Sequence, residues 1–266
     1  MQKIKKFFNL KKKPKIIGVI LAYNVAKMLP RAIERIPKNI LDELIVMDDG
    51  SNDETFNVAK KLKLKVFSHT PNRGYGGNLK AGIKKALEMG ADYIVEIHGD
   101  GAQFNPRSIL YALDPMKNGA QLILGSRFQE PSQALKNGMS FIRFAANRSL
   151  SFFDRIILGL PLTEFHTGFR IYGKEFLKTV PFEQNADNYL FSFQIIAQAA
   201  YFNMPVCEVP VEADYHSEHT SHALGGATIY ALNTFKVLGQ YLLAKWNFSH
   251  NNIFPKHNGN SKMQSL

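Results

Sequence analysis

The chain has 266 residues, of which 45% are hydrophobic, so it is long enough to bury one sizeable core. Its single cysteine, Cys207, excludes a disulfide framework within one chain, and no apolar run reaches the length of a membrane-spanning helix. The N-terminus also lacks the apolar core of a signal peptide, so we expect a cytoplasmic protein.

The formal net charge of +11 is concentrated near the N-terminus, where residues 1–15 contain seven lysines and no acidic residue. We expect residues 1–14 to form a basic flexible tail. Its lysines are mixed with apolar side chains such as Phe7 and Phe8, a composition that suits adsorption to an anionic membrane surface. A disordered, solubilising arm is an equally good interpretation. The rest of the chain shows no basic stripe with interleaved aromatic residues, so no nucleic acid is expected as a partner.

Strand and helix patterns alternate through the first half of the chain. Short β-rich apolar runs predict strands at 15–21, 44–47, 65–68, 93–97 and 121–125. Amphipathic segments predict helices at 28–36, 53–61 and 74–89. This alternation is typical of a single α/β domain with a mostly parallel central sheet flanked by helices.

The pattern changes in the second half, where longer amphipathic helices are expected at the C-terminal side. The predicted elements are helices at 141–158, 189–202 and 229–246, a polar loop and strand at 163–172, and a strand at 206–211. Residues 248–266 are polar and rich in asparagine, so a disordered tail is expected there and the folded domain is expected to span 15–247.

The helix at 141–158 carries several large apolar residues. They are Phe141, Phe144, Phe152, Phe153, Ile156 and Ile157. They either dip into a membrane interface or pack in the core, and packing in the core is the favoured interpretation for most of them.

Acidic residues follow two of the predicted strands. Asp48 and Asp49 end the second strand, and Asp100 follows the fourth, between His98 and Gln103. The carboxyl ends of parallel strands meet at one edge of a sheet, where α/β proteins bind ligands. One of the paired aspartates is expected to accept hydrogen bonds from a base or ribose while the other orders the loop, although a capped turn explains the pair as well. His98, Asp100 and Gln103 are candidate ligands of a divalent cation whose shell is completed by diphosphate oxygens.

The glycine-rich segment 72–77 matches the dinucleotide-binding fingerprint only in part. Gly74 and Gly76 match its first two glycines, but Leu79 occupies the third position, so a hydride-transfer enzyme is excluded. Two interpretations remain: a turn whose backbone closes over a nucleotide, or tight-turn glycines with a structural role.

Several short motifs occur together in the order seen in family 2 glycosyltransferases. They are Ala22-Tyr23-Asn24, Asp48-Asp49-Gly50-Ser51, Asn72-x-Gly-x-Gly76, His98-x-Asp100, Gly125-Ser126-Arg127-Phe128, Glu164-x-x-Thr-Gly-Phe-Arg170 and Glu208-Val-Pro. The chain thus resembles that family from about residue 15 to residue 245, and the nearest branch is the dolichol-phosphate mannosyltransferase-like one.

The resemblance implies a GT-A fold that binds a nucleotide-diphosphosugar over the sheet, with Mg²⁺ or Mn²⁺ on the Asp-x-Asp element. The positions implied to contact the donor are Ala22, Tyr23, Asn24, Asp48, Asp49, Asn72 and Gly74. The implied metal ligands are His98, Asp100 and Gln103. Arg127 is implied to meet the acceptor or its phosphate, and Arg143 on the following helix to assist. Glu164 takes the place of a late family aspartate, and Arg170 is implied to fix that loop.

A histidine-rich segment includes His216, His219 and His222. In the family this segment is a loop near the diphosphate, so His216 or His219 is expected to touch phosphate or metal as the loop closes over the donor. A solvated polar loop is the alternative, and a zinc site would lack any accompanying cysteine.

The function implied by the resemblance is inverting transfer of a sugar from GDP-mannose or a UDP-sugar to a polyprenyl phosphate or a glycan acceptor. A phosphate acceptor is already anionic and needs no strong base. A sugar hydroxyl would need one, and Glu164 is the candidate. The alternative is a noncatalytic nucleotide-sugar-binding protein. His98 and Ser192 favour it because the family more often has acidic residues there, and so does Gln103, which is shifted by the insertion of Ala102. A nucleotidyltransferase is not favoured, since the chain lacks an early glycine-rich basic loop for a triphosphate.

Overall fold

The computed structural model describes residues 13–101, 105–212 and 224–256. In this part of the chain, seven strands form one sheet in the order β3-β2-β1-β4-β6-β5-β7. The strands are β1 (Ile16–Ala22), β2 (Glu43–Asp48), β3 (Lys65–Ser68), β4 (Tyr93–His98), β5 (Leu122–Ser126), β6 (Arg170–Gly173) and β7 (Val206–Pro210). Only β6 runs antiparallel to its neighbours, β4 and β5. The sheet is therefore mostly parallel, as the alternation of elements predicts.

Helices cover both faces of this sheet. They are α1 (Leu29–Glu34), α2 (Thr55–Lys61), α3 (Gly74–Glu88), α4 (Ile109–Lys117), α5 (Pro131–Lys136), α6 (Phe141–Leu158), α7 (Lys174–Thr179), α8 (Phe191–Tyr201) and α9 (Leu224–Lys245), with short 3₁₀ turns at Pro106–Ser108 and Phe182–Gln184. Three of these helices, α4, α5 and α7, were not predicted from the sequence. None of the described helices is long and apolar enough to cross a membrane.

The core consists of two layers, one on each side of the sheet. One layer packs α3, α8 and α9 against the sheet through residues such as Ile83, Ile196 and Leu238. The other packs α1, α2 and α4 through residues such as Leu29 and Ala59. Strands covered on both faces must be apolar on both faces, which explains why β1 and β4 read as nearly continuous apolar runs.

The C-terminal boundary expected at residue 247 is too early. Ile253 and Phe254 are buried in the α8 and α9 layer. The hydroxyl of Tyr201 donates to the carbonyl of Pro255 (2.8 Å), and the amide nitrogen Nε2 of Gln198 donates to the carbonyl of Ile253 (3.2 Å). Two apolar residues thus dock an otherwise polar segment onto α8. Residues 257–266 of the expected C-terminal tail and residues 1–12 of the expected basic tail lie outside the described residues.

Helix α6 spans the predicted residues, but the expectation that most of its large apolar side chains pack in the core is wrong. Phe141, Phe152, Phe153 and Ile156 are each more than half exposed. Its buried face consists instead of Ser151, Asp154 and Leu158, and Phe144 and Ile157 are partly buried. The apolar stripe of this helix therefore faces outwards.

Candidate active site

The sequence-predicted donor residues meet at the carboxyl edge of the parallel strands. In the strand register, Ala22 of β1 lies opposite Asp48 of β2, and Leu21 lies opposite His98 of β4. The amide of Asp49 donates to the carbonyl of Ala22 (2.8 Å), which joins the two strand ends. The adjacency of β2, β1 and β4 thus brings together the acidic residues that follow β2 and β4.

The two aspartates after β2 differ in their contacts. Asp48 accepts hydrogen bonds from the amide and the hydroxyl of Ser51 through Oδ1 and from the hydroxyl of Ser68 through Oδ2. Both oxygens accept hydrogen bonds within the protein, so Asp48 orders the loop, and these contacts argue against the donor role expected for it.

Asp49 makes contacts with the segment that precedes α3. Its Oδ1 accepts a hydrogen bond from the amide of Arg73 (2.8 Å) and lies 3.4 Å from Nδ1 of His69. Both of these contacts are made by Oδ1, and the backbone of Gly74 also interacts with this carboxylate. Burial raises the pKa of Asp49 above its ordinary value of 3.8, although the hydrogen bond from Arg73 and the charge of His69 oppose this.

Tyr23 and Asn24 form the exit from β1. Tyr23 is about half exposed, and Asn24 adopts a left-handed backbone with φ of 52°. The side-chain oxygen of Asn24 accepts a hydrogen bond from the amide of Asn52 (2.9 Å), and its amide donates to the hydroxyl of Ser51 (2.9 Å). Asn24 therefore fixes the loop after β2, while the ring of Tyr23 is available for contact with a base.

The glycine-rich segment is the first turn of α3, and its glycines serve packing. The amides of Gly76 and Gly77 both donate to the carbonyl of Asp187 (2.8 and 3.2 Å). A Cβ on Gly76 would overlap the carbonyl oxygen of Ala186, and one on Gly74 would lie 2.7 Å from the carbonyl of Asp187. These amides and this space are occupied by the chain itself. These contacts therefore support the structural interpretation of the glycines and argue against the donor role expected for Gly74.

Asn72 precedes this turn. Its side-chain oxygen accepts a hydrogen bond from the amide of Gly74 (2.8 Å), and the residue is exposed. Through the neighbouring bond from Arg73 to Asp49, the segment is attached to the end of β2. Asn72 therefore lies at the same edge as the other donor positions.

The end of β4 carries His98 and Asp100 above a buried carboxylate, Glu96. Nε2 of His98 lies 3.3 Å from Oε1 of Glu96. Burial opposes protonation of His98, but the hydrogen bond and charge of Glu96 and the charge of Asp100 outweigh it and raise the pKa of His98 above 6.5. Of the two ring nitrogens, Nδ1 is the one that this contact leaves for a metal ion.

Glu96 is the centre of a hydrogen-bond network that the sequence reasoning missed. It accepts hydrogen bonds from the hydroxyls of Tyr75 on α3 and Tyr172 on β6. Burial alone would raise the pKa of Glu96, but the hydrogen bond from His98 and the charge of Arg170 lower it below 4.5. The signal in the sequence was a charged residue inside an apolar strand run, which needs partners if it is buried.

Arg170 begins β6 and is almost completely buried beside this network. Among the described residues, its Nε has no hydrogen-bond partner. The expected role of Arg170 in fixing the loop that precedes it is therefore not visible in its contacts. Its positive charge instead interacts electrostatically with the side chains of Glu96, Tyr75 and Tyr172.

The residues at this edge fit a cation that is held jointly by the protein and a phosphate ligand. Within 13–101, 105–212 and 224–256, no three His, Cys, Asp or Glu side chains are placed to hold a metal ion together. Asp100 would supply one carboxylate, and Mg²⁺ or Mn²⁺ in phosphate sites commonly takes one or two carboxylates with phosphate oxygens completing its shell. Gln103, the third expected ligand, lies outside the described residues, as do His216 and His219.

Arg127 and Glu164 form a buried ion pair next to the end of β5. Oε1 of Glu164 accepts hydrogen bonds from Nε and Nη2 of Arg127, and Oε2 accepts one from its backbone amide (2.7 Å). Glu164 is completely buried. A carboxylate with both oxygens engaged by a guanidinium and an amide is poorly suited to accept a proton from a substrate, which argues against the base role expected for Glu164. Arg143 is exposed in the first turn of α6.

The loop that holds Glu164 also contacts the long helices α6 and α9. Nε2 of His166 lies 2.9 Å from Oδ2 of Asp154 on α6, and Nδ1 lies 3.4 Å from the hydroxyl of Tyr230 on α9. The ring of His166 also stacks on Phe193 of α8, with centroids 5.7 Å apart. The loop that holds Glu164 is thus in contact with α6, α8 and α9.

An aromatic pair that the sequence reasoning missed flanks the end of β4. Tyr189, just before α8, stacks on Tyr75 with ring centroids 4.7 Å apart and an interplanar angle of 19°. The ring centroid of Tyr75 lies 5.9 Å from that of His98. The two tyrosines are more than a hundred residues apart, so no local sequence pattern could have indicated the pair.

The comparisons with known proteins agree with this geometry. The model of glycosyl transferase family 2 matches residues 19–180, more than half of the chain. The chain is 28% identical over 245 residues to UDP-N-acetylglucosamine–dolichyl-phosphate N-acetylglucosaminyltransferase from Methanococcus voltae, covering 85% of this chain and 94% of that protein. It is 30% identical over 234 residues to an uncharacterised protein of Methanocaldococcus jannaschii, covering 88% of this chain and 93% of the relative.

A solved structure shows the same fold. Glucosyl-3-phosphoglycerate synthase from Mycobacterium tuberculosis, crystallised with Mn²⁺, UDP and glucosyl-3-phosphoglycerate, aligns with a TM-score of 0.62 at 19% identity, over 93% of this chain and 85% of that one. The likeness confirms the expected GT-A fold. With the family match, it follows that the chain belongs to glycosyl transferase family 2 and is a glycosyltransferase.

Proposed function

We propose that this enzyme transfers a sugar, with inversion, from a nucleoside-diphosphate sugar to the phosphate of a polyprenyl phosphate. The observation that carries the proposal is the meeting of Asp49 and Asp100 at one edge of the sheet, after the strands that flank β1. Asp49 would bind the nucleoside and Asp100 the diphosphate side of the same donor. The Methanococcus voltae relative, whose name gives UDP-N-acetylglucosamine as donor and dolichyl phosphate as acceptor, supports both substrate classes.

On the donor side, Asp100 would hold Mg²⁺ or Mn²⁺ together with the diphosphate, and Nδ1 of His98 is the other candidate ligand among the described residues. The cation would neutralise the charge that develops on the departing nucleoside diphosphate. Oδ2 of Asp49 would accept a hydrogen bond from the base or ribose, and the ring of Tyr23 would lie against the base. GDP-mannose and UDP-sugars are both compatible with these contacts.

On the acceptor side, the state of Glu164 favours a phosphate over a sugar hydroxyl. Because Arg127 engages both oxygens of Glu164, this carboxylate is not available as a general base. A phosphate oxygen is already anionic and attacks without one. Arg127 and Arg143 are the candidate cations for binding that phosphate, through charge-assisted hydrogen bonds.

The enzyme would meet its lipid acceptor at an anionic membrane surface, from the cytoplasmic side. The outward apolar side chains of α6, which include Phe152 and Ile156, support peripheral association because interfacial helices insert such a face. The arginines Arg143 and Arg155 on the same helix suit the negative surface potential of an anionic leaflet.

The donor site is tested by titration calorimetry of UDP- and GDP-sugars, with and without Mn²⁺, on the wild type and on Asp100→Ala. We expect metal-dependent binding of one nucleotide-sugar that is lost in Asp100→Ala and kept in Asp114→Ala, an exposed aspartate on α4. Failure of the wild type to bind any donor would overturn the proposal.

Transfer to undecaprenyl phosphate or dolichyl phosphate is then measured with the donor that binds. Product formation identifies the enzyme as a polyprenyl-phosphate glycosyltransferase. Donor binding without transfer to any lipid phosphate or glycan would instead support a noncatalytic nucleotide-sugar-binding protein.

A further inference from the structure

Glu96 is a completely buried carboxylate that hydroxyl groups from two other elements hold in place. The hydroxyl of Tyr75 on α3 donates to Oε1 of Glu96, and the hydroxyl of Tyr172 on β6 donates to Oε2 (2.6 Å). Tyr172 is completely buried, and the hydroxyl of Tyr75 also lies 3.2 Å from that of Ser192 on α8. Buried carboxylates need such partners, and a carboxylate that is held through both oxygens has little freedom to turn.

The third partner of Glu96 is His98, which lies on the same face of β4 because side chains two residues apart in a strand point the same way. Nε2 of His98 lies 3.3 Å from Oε1 of Glu96. An ionised carboxylate only accepts hydrogen bonds, so Nε2 must carry a hydrogen, and in the neutral ring Nδ1 is then the atom with a lone pair. The side chain of His98 is 27% exposed, so the ring extends from the buried carboxylate towards the surface at the carboxyl edge of the sheet.

We propose that Glu96 is the positioning residue of the metal site, which holds Nε2 of His98 so that Nδ1 is presented to the divalent cation. Metal-binding histidines commonly donate their other N–H to a carboxylate, which fixes the ring and makes it a stronger ligand. The inference rests on the proposed function, in which His98 is a candidate ligand of the cation held by Asp100.

This arrangement also accounts for a histidine at a position where the family more often has an acidic residue. An acidic side chain there would bring its negative charge to the cation directly, whereas a neutral imidazole ring brings none. Glu96 supplies a negative charge from behind the ring instead, through its contact with Nε2. Glu96 and His98 together thus take the place of one acidic ligand, and His98 by itself does not indicate that catalysis has been lost.

The test measures the metal dependence of nucleotide binding, which does not require sugar transfer. Calorimetry would give the affinities for UDP and GDP, each with and without Mn²⁺, for the wild type, Glu96→Gln and Tyr172→Phe. Glutamine has the shape of glutamate without its charge, so we expect Glu96→Gln to weaken binding with Mn²⁺ about tenfold or more and to leave binding without Mn²⁺ unchanged. Tyr172→Phe, which keeps the charge but removes one support of Glu96, should cause a smaller loss of the same kind.

The orientation of His98 can be measured on the wild type itself, before any metal is added. Nitrogen NMR of protein labelled in its eight histidines would identify His98 by the resonances that His98→Ala removes. In the neutral ring we expect the hydrogen on Nε2 and none on Nδ1. A hydrogen on Nδ1 instead would overturn the proposal, whether or not Glu96→Gln folds.

Tyr93→Phe is the matched control for Tyr172→Phe, because Tyr93 is also a buried tyrosine but lies at the opposite end of β4 from His98. It should change neither affinity. In folded Glu96→Gln, an unchanged effect of Mn²⁺, or equal weakening with and without Mn²⁺, would overturn the positioning role and leave the proposed function standing. A wild type that binds no nucleotide and no nucleotide-sugar would overturn the proposed function and the positioning role with it.

Discussion

Asp49 is a carboxylate that the protein buries at a cost to its own stability. Burial raises the pKa of Asp49, which means that ionising it is less favourable in the folded chain than in the unfolded one. The amide of Arg73 needs only an oxygen acceptor, which an asparagine side chain also supplies, and the contacts with Arg73, Gly74 and His69 do not offset the effect of burial on the charged form. A charge kept where it destabilises the fold is typical of a binding residue.

We predict that Asp49→Asn leaves the free energy of unfolding at pH 7 unchanged or raises it. The same substitution should weaken donor binding about tenfold or more, because one hydrogen bond to a charged group is lost. The folded-state pKa is raised, so wild-type stability falls as the pH rises from the ordinary carboxyl value of 3.8 through the raised native value. The stability advantage of Asp49→Asn should therefore be absent below pH 3.8 and grow through that window. Urea unfolding across pH and donor calorimetry would measure both effects. A variant that is less stable than the wild type at pH 7 would contradict the prediction.

A structural role and a catalytic role of Glu164 predict different effects of its substitution. Because it neutralises the buried guanidinium of Arg127, we predict that Glu164→Gln lowers the free energy of unfolding by about 3 kcal/mol or more, measured by urea denaturation. The double variant Arg127→Met, Glu164→Met should recover much of that loss, since no buried charge is left unpaired. Glu88→Gln, which removes an exposed pair with Lys85, should change stability by no more than about 0.5 kcal/mol.

A general base would give the opposite result. If Glu164 accepted the proton of a hydroxyl acceptor, Glu164→Gln would leave the free energy of unfolding unchanged and would abolish sugar transfer. That combination would contradict the structural role and favour a sugar hydroxyl as the acceptor.

At the level of single residues, the sequence predicts positions better than contacts. The positions of Asp49 and Asp100 at the sheet edge could be predicted, because acids that follow buried parallel strands lie at that edge. The roles of Asp48, Gly74 and Glu164 depend on Ser68, Asp187 and Arg127, partners that are distant in the chain. Nothing in a local motif shows whether such a partner already occupies an oxygen or an amide.

The sequence of the first turn of α3 is constrained by the segment that packs against it. Gly76 is required because the backbone of 186–188 crosses the helix where a side chain would project. We predict that Gly76→Ala lowers the free energy of unfolding by about 1–3 kcal/mol, the usual cost of overpacking, because backbone atoms cannot move aside as a side chain could.

Gly239 on α9 is the matched control, since a Cβ there would meet no atom within 4 Å. Gly239→Ala should raise the free energy of unfolding by about 0.5–1 kcal/mol through improved helix propensity. Thermal or urea unfolding of both variants measures the difference. If the two substitutions changed the free energy of unfolding equally, residues 186–188 would not pack tightly against α3.

The secondary structure that could be predicted is the part with a strong pattern. The five strands of the first half and helix α6 are within a residue or two of their predicted bounds, because short β-rich apolar runs and a long amphipathic repeat indicate them. Helices α5 and α7 have six residues each, too short for a repeat to show. Helix α4 contains Pro115, which argues against a helix when only the sequence is read.

The exposed apolar surface of the whole molecule is unevenly distributed. Of the seventeen exposed large hydrophobic side chains among the described residues, five lie on α6, four on α9 and two just after α9. These two helices also contact the loop that holds Glu164, through His166. A membrane-facing surface on α6 and α9 would therefore lie next to the element that contacts Arg127, as an enzyme with a lipid-phosphate acceptor requires.

We predict that this surface binds anionic bilayers and that α6 carries much of the binding. Phe152 and Ile156 are about 60% exposed, and burying such side chains in a membrane interface contributes on the order of 1.5–3 kcal/mol each when complete. Phe152→Ser with Ile156→Ser should therefore weaken flotation with phosphatidylglycerol vesicles at least about tenfold, with unchanged thermal unfolding because both side chains project into solvent. The control, Leu110→Ser with Tyr111→Ser on α4, should float as the wild type does. Full flotation by the α6 variant would exclude this helix as the membrane contact and leave the basic residues 1–14 as the segment to delete next.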